Sequence, residues 1–148
     1  MFDQRKTFQE ITVGEEASFS KTITETDVYL YAGITGDFNP VHVDRVFAAG
    51  SFFKAPVAHG LLSAGLISAV LGTKLPGPGT IYLSQTFKFL SPVKINDTIT
   101  AKVKVREKIV EKRHIILETS CWNQNGDLVI SGEARVFMPD TLEEPLPI

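Results

Sequence analysis

The chain is short of cysteine, of histidine and of any dominant sign of charge, and each shortage closes off a class of protein. Cys121 is the single cysteine in 148 residues, so no internal disulfide framework exists and a reducing compartment, the cytoplasm, is expected. The three histidines and that cysteine stand in no ligand spacing, which gives no case for a metal site. The net charge is -2 and the lysines are scattered, so there is no nucleic-acid footprint. Lys74, Lys88 and Lys94 are able to meet phosphates, but nothing separates them from ordinary surface lysines. The longest apolar run, GLLSAGLISAVLG over 60–72, is shorter than the about 20 residues a bilayer span needs. MFDQRKTFQE at the start is charged and has no apolar h-region, so no secretory leader is expected. Ser63 and Ser68 have neither a nearby base nor a Gly-x-Ser-x-Gly elbow, which argues against a serine hydrolase.

What remains is an ordinary globular composition, 43% hydrophobic and 22% charged, in one domain's length of chain. ASFSKTIT (17–24) alternates as a strand does. TETDVYLYAGITG predicts a short helix, with Thr24 and Asp27 as a capping box and Gly33 or Gly36 as its end. VDRVFAAGSFF suits another short helix with Asp44 near its start. The 60–72 segment is apolar on nearly every side, so a helix there is expected to be buried all round. After the turn LPGPG come strand patterns at 80–90 and 98–110. The second places Ile99, Ala101, Val103 and Val105 on one face and Thr100, Lys102, Lys104 and Arg106 on the other. Two further strands are joined through Asn125-Gly126, a strong hairpin signal. The order implies an α+β architecture: a four-stranded antiparallel meander, joined by the early strand, curled around the 60–72 helix. Such a sheet leaves an outer edge to be paired or covered, which makes dimerisation plausible. No internal repeat or low-complexity tract is present, and PDTLEEPLPI (139–148) reads as an irregular tail.

Two stretches carry chemistry. In TGDFNPVH (35–42), Asp37 and His42 stand five positions apart with Pro40 between them. A carboxylate and an imidazole converging on one point can hold a water, take its proton and return a proton elsewhere. Histidine, with a reference pKa of about 6.5, suits that task near neutrality. Pro40 stiffens the loop, and Asn39 is placed to hydrogen-bond nearby backbone. Gly, Asp, Asn and Pro are equally the usual residues of a surface turn, and local composition does not choose between the two.

In AHGLLSAG, a helix beginning near Gly60 points its first, unpartnered N–H groups outward at the positive end of its dipole. Those donors are able to polarise a carbonyl oxygen as it gains negative charge. Tight packing accounts for Gly60 as well, and spacing leaves both readings open. His59 fits a cap or a packing role better than a catalytic one, and His114 a solvated strand start.

YAGITGDFNPVHVDRVFA resembles the hydratase motif of the MaoC-like, (R)-specific enoyl-CoA hydratases, G-D-x-N-P-x-H. The likeness runs on through APVAHGLLSAGLISAVLG and LPGPGTIYLSQTFKFLSPVKINDTITAKVKV, covering about 24–138. It implies a hot-dog fold over a single 1–148 domain, an antiparallel sheet wrapped around one central helix. It implies that Asp37 and His42 activate water, that Asn39 and Ser68 support them, and that the Gly60 backbone N–H binds the thioester oxygen. The implied reaction is reversible addition of water to a trans-2-enoyl thioester, giving an (R)-3-hydroxyacyl product, with no cofactor beyond the CoA or acyl-carrier-protein substrate. A homodimer is expected from the family. Ala64, Ser68 and Leu71 follow Gly60 at near-helical spacing, so Ala64 and Leu71 are the expected acyl pocket, with Leu71 setting its limit. The rivals are a hot-dog thioesterase, which would release free thiol, and a non-catalytic acyl-thioester-binding subunit.

Overall fold

The computed structural model describes residues 5–145. The three residues that end the expected tail, 146–148, lie outside that span, and 139–145 carry neither helix nor strand.

Strand β1 (Glu16–Thr22) leads into helix α1 (Glu25–Thr35). Thr24 caps that helix in the expected box: its hydroxyl accepts from Asp27 N–H while the Asp27 carboxylate accepts from Thr24 N–H. Of the two candidate stops the chain uses Gly36, which takes the left-handed conformation at φ 81° and donates its N–H to Ala32 O. The short helix expected over VDRVFAAGSFF is α3 (Arg45–Gly50), with Asp44 at its start, and the Asn-Pro stretch before it forms a further single turn, α2 (Pro40–Val43). Asp44 breaks them apart because its extended backbone ends one, while its carboxylate caps the next on Val46 and Phe47 N–H.

Helix α4 (Gly60–Thr73) is the central one. It is followed by β2 (Ile81–Phe89), β3 (Thr98–Ile109), β4 (His114–Trp122) and β5 (Leu128–Phe137). The hairpin signal was sound, with Gly126 at φ 81°, but Asn123 organises the loop by accepting from Asn125 and Asp127 N–H.

The five strands form one antiparallel sheet in the order β1-β3-β4-β5-β2. This corrects the expected meander: β2 does not pair with β3 but lies at the far edge against β5, Phe87 opposite Gly132. The connection over 90–97 therefore crosses the end of the sheet instead of making a hairpin. Ala58 N–H to Val93 O at 2.8 Å and a Val57–Lys94 bridge stitch it to the segment before α4.

Alternation in β3 holds, with Ile99, Ala101, Val103 and Val105 all buried against α4. The core also takes in Phe8 and Ile11, ahead of the 24–138 span of the resemblance. Helix α4 is not buried all round. Ser63, Ala64, Leu66, Ile67, Val70 and Leu71 are buried, but Leu61, Gly65, Ser68 and Gly72 form an exposed stripe beside β2. The fold is the hot-dog arrangement, a curled sheet around one helix.

Candidate active site

The α1–α2 turn and the start of α4 meet at one cavity of about 570 Å³. Asp37, Asn39, His42 and Gly60 all line it, so four of the sequence-predicted residues are brought together. Each is positioned by local backbone chemistry. Gly36 in its left-handed conformation turns the chain sharply, and the Asp37 carboxylate then accepts Asn39 N–H at 3.1 Å. Asn39 caps α2 by accepting Val41 N–H, and Pro40 at the first helical position has no N–H to leave bare. That single turn of helix presents His42.

The His42 ring is held from the other side of the cavity. Its Nδ1 lies 2.6 Å from Val57 O, and Val57 N–H in turn donates to Val41 O. A carbonyl only accepts, so Nδ1 carries the hydrogen and Nε2 keeps a free lone pair. Burial pushes the His42 imidazole below its ordinary pKa; the Val57 carbonyl opposes this, His59 reinforces it and Asp37 opposes it. A neutral imidazole with a free Nε2 is a base.

His59, for which the sequence favours a cap or packing role over a catalytic one, is central to this geometry. It makes no side-chain cap bond to α4. Its Nε2 instead lies 2.9 Å from Asp37 O, and its ring stacks on His42 at 3.8 Å and on Tyr31 at 4.6 Å. One polar atom from each of Asp37, His42 and His59 lies within 4.8 Å of the other two.

At the start of α4 the first intrahelical donors are Leu62 and Ser63 N–H, both to His59 O. The N–H groups of Gly60 and Leu61 therefore have no acceptor inside the helix, and the dipole's positive end faces the cavity. The packing reading of Gly60 also applies: a Cβ there would meet Phe89 Cε1 at 2.6 Å. The cavity thus combines a base, a carboxylate and a set of backbone donors, which suits proton transfer beside a carbonyl that gains charge.

The MaoC-like domain model matches residues 8–121, most of the chain and every residue lining this cavity but Ile130. The chain belongs to the MaoC-like family. An (R)-specific enoyl-CoA hydratase of Rhodospirillum rubrum is 51% identical over 132 residues, covering 89% of this chain and 91% of that protein. A 3-hydroxybutyryl-CoA dehydratase of Methylorubrum extorquens is 46% identical, covering 94% and 88%. The solved structure of an (R)-hydratase from Aeromonas caviae, described as involved in PHA biosynthesis, superposes with a TM-score of 0.86. Its identity is 41%, over 88% of this chain and 99% of that one.

In this MaoC-like domain the remaining expected residues lie elsewhere. Ala64 and Ser68 line a separate groove of about 350 Å³ between α4 and β2, with Tyr82, Leu83 and Phe87. Leu71 lines neither cavity; it is 2% exposed and packed in the core. Eleven residues at about 100° each do return it to the Gly60 side of the helix, but there that side meets the sheet. The residues that sequence reasoning missed are Tyr31, Ser63 and the Val57 carbonyl. The main chain of Val57 offers no signal in the sequence. Ser63, four places after His59, was discounted for want of a base beside it in sequence.

Proposed function

We propose that this chain is an (R)-specific enoyl-CoA hydratase, a hydro-lyase that adds water across the double bond of trans-2-enoyl-CoA. The observation that carries the reading is the convergence of Asp37, the His42 base and the Gly60 backbone N–H on one cavity. The substrate class is supported by the names of relatives at 46–51% identity over about nine-tenths of the chain.

The Gly60 N–H and the helix dipole draw charge onto the thioester oxygen, which makes C3 electrophilic. Water held by Asp37 attacks C3 as its proton passes to His42 Nε2. The C3–O bond forms and the double-bond electrons shift toward the thioester oxygen as an enolate. The dyad returns a proton to C2 on the same face, giving (R)-3-hydroxyacyl-CoA and the original protonation state. Water addition involves no net oxidation or reduction, so no cofactor is called for. Asn39 supports the loop, and the acyl tail runs beside α4 past Ala64 and Ser68. Burial pushes the Cys121 thiol up to about 12, so it is not offered as a nucleophile at neutral pH. The working form is a homodimer and the compartment the cytoplasm, the latter supported by a lone buried cysteine.

The test is loss of the conjugated absorbance of crotonyl-CoA, with chiral analysis of the product, for the purified chain and its Asp37→Asn and His42→Asn variants. Wild type should yield (R)-3-hydroxybutyryl-CoA, and each variant should fall by about 10²–10⁴ while keeping its melting temperature. The acid limb of kcat/KM should lie below the ordinary histidine value of about 6.5, since the depressed His42 pKa keeps the base neutral to lower pH. Release of free thiol instead of hydration would overturn the proposal.

A further inference from the structure

Two polar atoms beside the dyad have nothing to bond. Ser63 Oγ and His59 Nδ1 are both buried without a hydrogen-bond partner, on side chains 0% and 3% exposed. Both residues line the cavity that holds Asp37, His42 and Gly60. They stand four apart at the start of α4, and Ser63 N–H reaches back toward His59 O at 3.5 Å, so their side chains rise from one helix face. The buried wall around them is otherwise apolar, with Ala58, Val93 and Ile130. A bare buried polar atom costs about 1–3 kcal/mol, and a helix serine ordinarily avoids this by bonding the carbonyl one turn back. Ser63 does not, because its hydroxyl makes no hydrogen bond at all.

The bonding pattern that would satisfy both is specific. His59 Nε2 faces the Asp37 carbonyl, which can only accept, so Nε2 holds the hydrogen and Nδ1 is a bare acceptor. Ser63 offers a rotating O–H donor. One oxygen that donates to Nδ1 and accepts from Ser63 uses both the bare acceptor and the O–H donor, whereas a carbonyl cannot donate to Nδ1 and an ammonium cannot accept from Ser63. We propose that His59 and Ser63 form a hydroxyl-binding subsite next to the catalytic dyad, which takes the 3-hydroxyl of the hydroxyacyl thioester or a water of the free protein. The substrate arm rests on the hydratase reading; the water arm does not. The stack of His59 on His42, at 3.8 Å, puts the subsite against the group that handles the proton.

Ser63→Ala in the full chain, assayed in both directions with crotonyl-CoA and (R)-3-hydroxybutyryl-CoA, tests the substrate arm. Because the overall equilibrium is fixed, kcat/KM must fall equally in the two directions. A hydroxyl bound at Ser63 divides that loss unevenly, raising KM for (R)-3-hydroxybutyryl-CoA by about 3–10-fold while lowering kcat for crotonyl-CoA by the same factor. A high-resolution crystal structure of the wild-type protein tests the water arm, since it needs no variant to fold and no turnover. An ordered oxygen within hydrogen-bond distance of both Ser63 Oγ and His59 Nδ1, with Ser63→Ala melting lower, assigns the subsite to resident water. The proposal is overturned if no oxygen occupies that point, the kinetic split is absent and Ser63→Ala melts at or above wild type, the signature of a hydroxyl that never had a partner. Wild type failing on crotonyl-CoA would count against the hydratase reading, and the crystallographic arm would still decide the subsite.

Discussion

At the scale of single residues, a main-chain atom often determines what a side chain is able to do. His42 is a base because Val57 O occupies its Nδ1, and Asp37 is steadied because His59 Nε2 holds its carbonyl. Leu71 shows the converse, a side chain whose neighbours exclude it from chemistry. Spacing placed it on the side of the helix facing an acyl tail, whereas it is packed in the core against the sheet. Leu71→Ala should therefore cost about 2–5 kcal/mol of stability, read by urea unfolding, through the lost contacts and the cavity left behind. A shifted chain-length profile at unchanged stability would restore the pocket reading.

Among the elements, β2 matters most, because it walls both the cavity, through Phe89, and the groove, through Tyr82, Leu83 and Phe87. Its attachment to β5 depends on Gly132. A Cβ at that position would lie 1.8 Å from Thr86 O, and backbone cannot swing away as a side-chain tip does. Gly132→Ala should lower stability by about 3 kcal/mol or more and strip hydrogen-exchange protection from β2 before the other strands. Uniform loss across the sheet would instead point to a change in global stability alone. The Gly60 clash is gentler, since Phe89 presents a ring edge that is able to turn.

For the molecule as a whole, the exposed Leu61, Gly65, Ser68 and Gly72 stripe lies next to an edge strand whose outward N–H and C=O groups have no neighbour in the sheet. A second copy pairing along β2 would cover both features, so sedimentation should report a mass twice 16.3 kDa. Leu83→Arg on that edge should shift the protein toward monomer and, by loosening the groove, weaken activity on longer enoyl chains first. A wild-type protein that sediments as a single chain at micromolar concentration would end the dimer proposal.

Much of this was legible in one dimension because the governing physics is local. The Thr24–Asp27 box, the Gly36 stop, the alternation of β3 and the G-D-x-N-P-x-H stretch each act within a few residues, and the sequence by itself determined them. Tertiary structure alone decided the rest. That β2 crosses to β5 depends on which edge the packed helix leaves open, and pattern within a strand does not encode its neighbour. His59 becomes Asp37's partner across 22 positions, and Ser63 faces the dyad only once α4 is set against the loop. Contacts of that span are made by the packing of distant segments, which no short window of sequence contains.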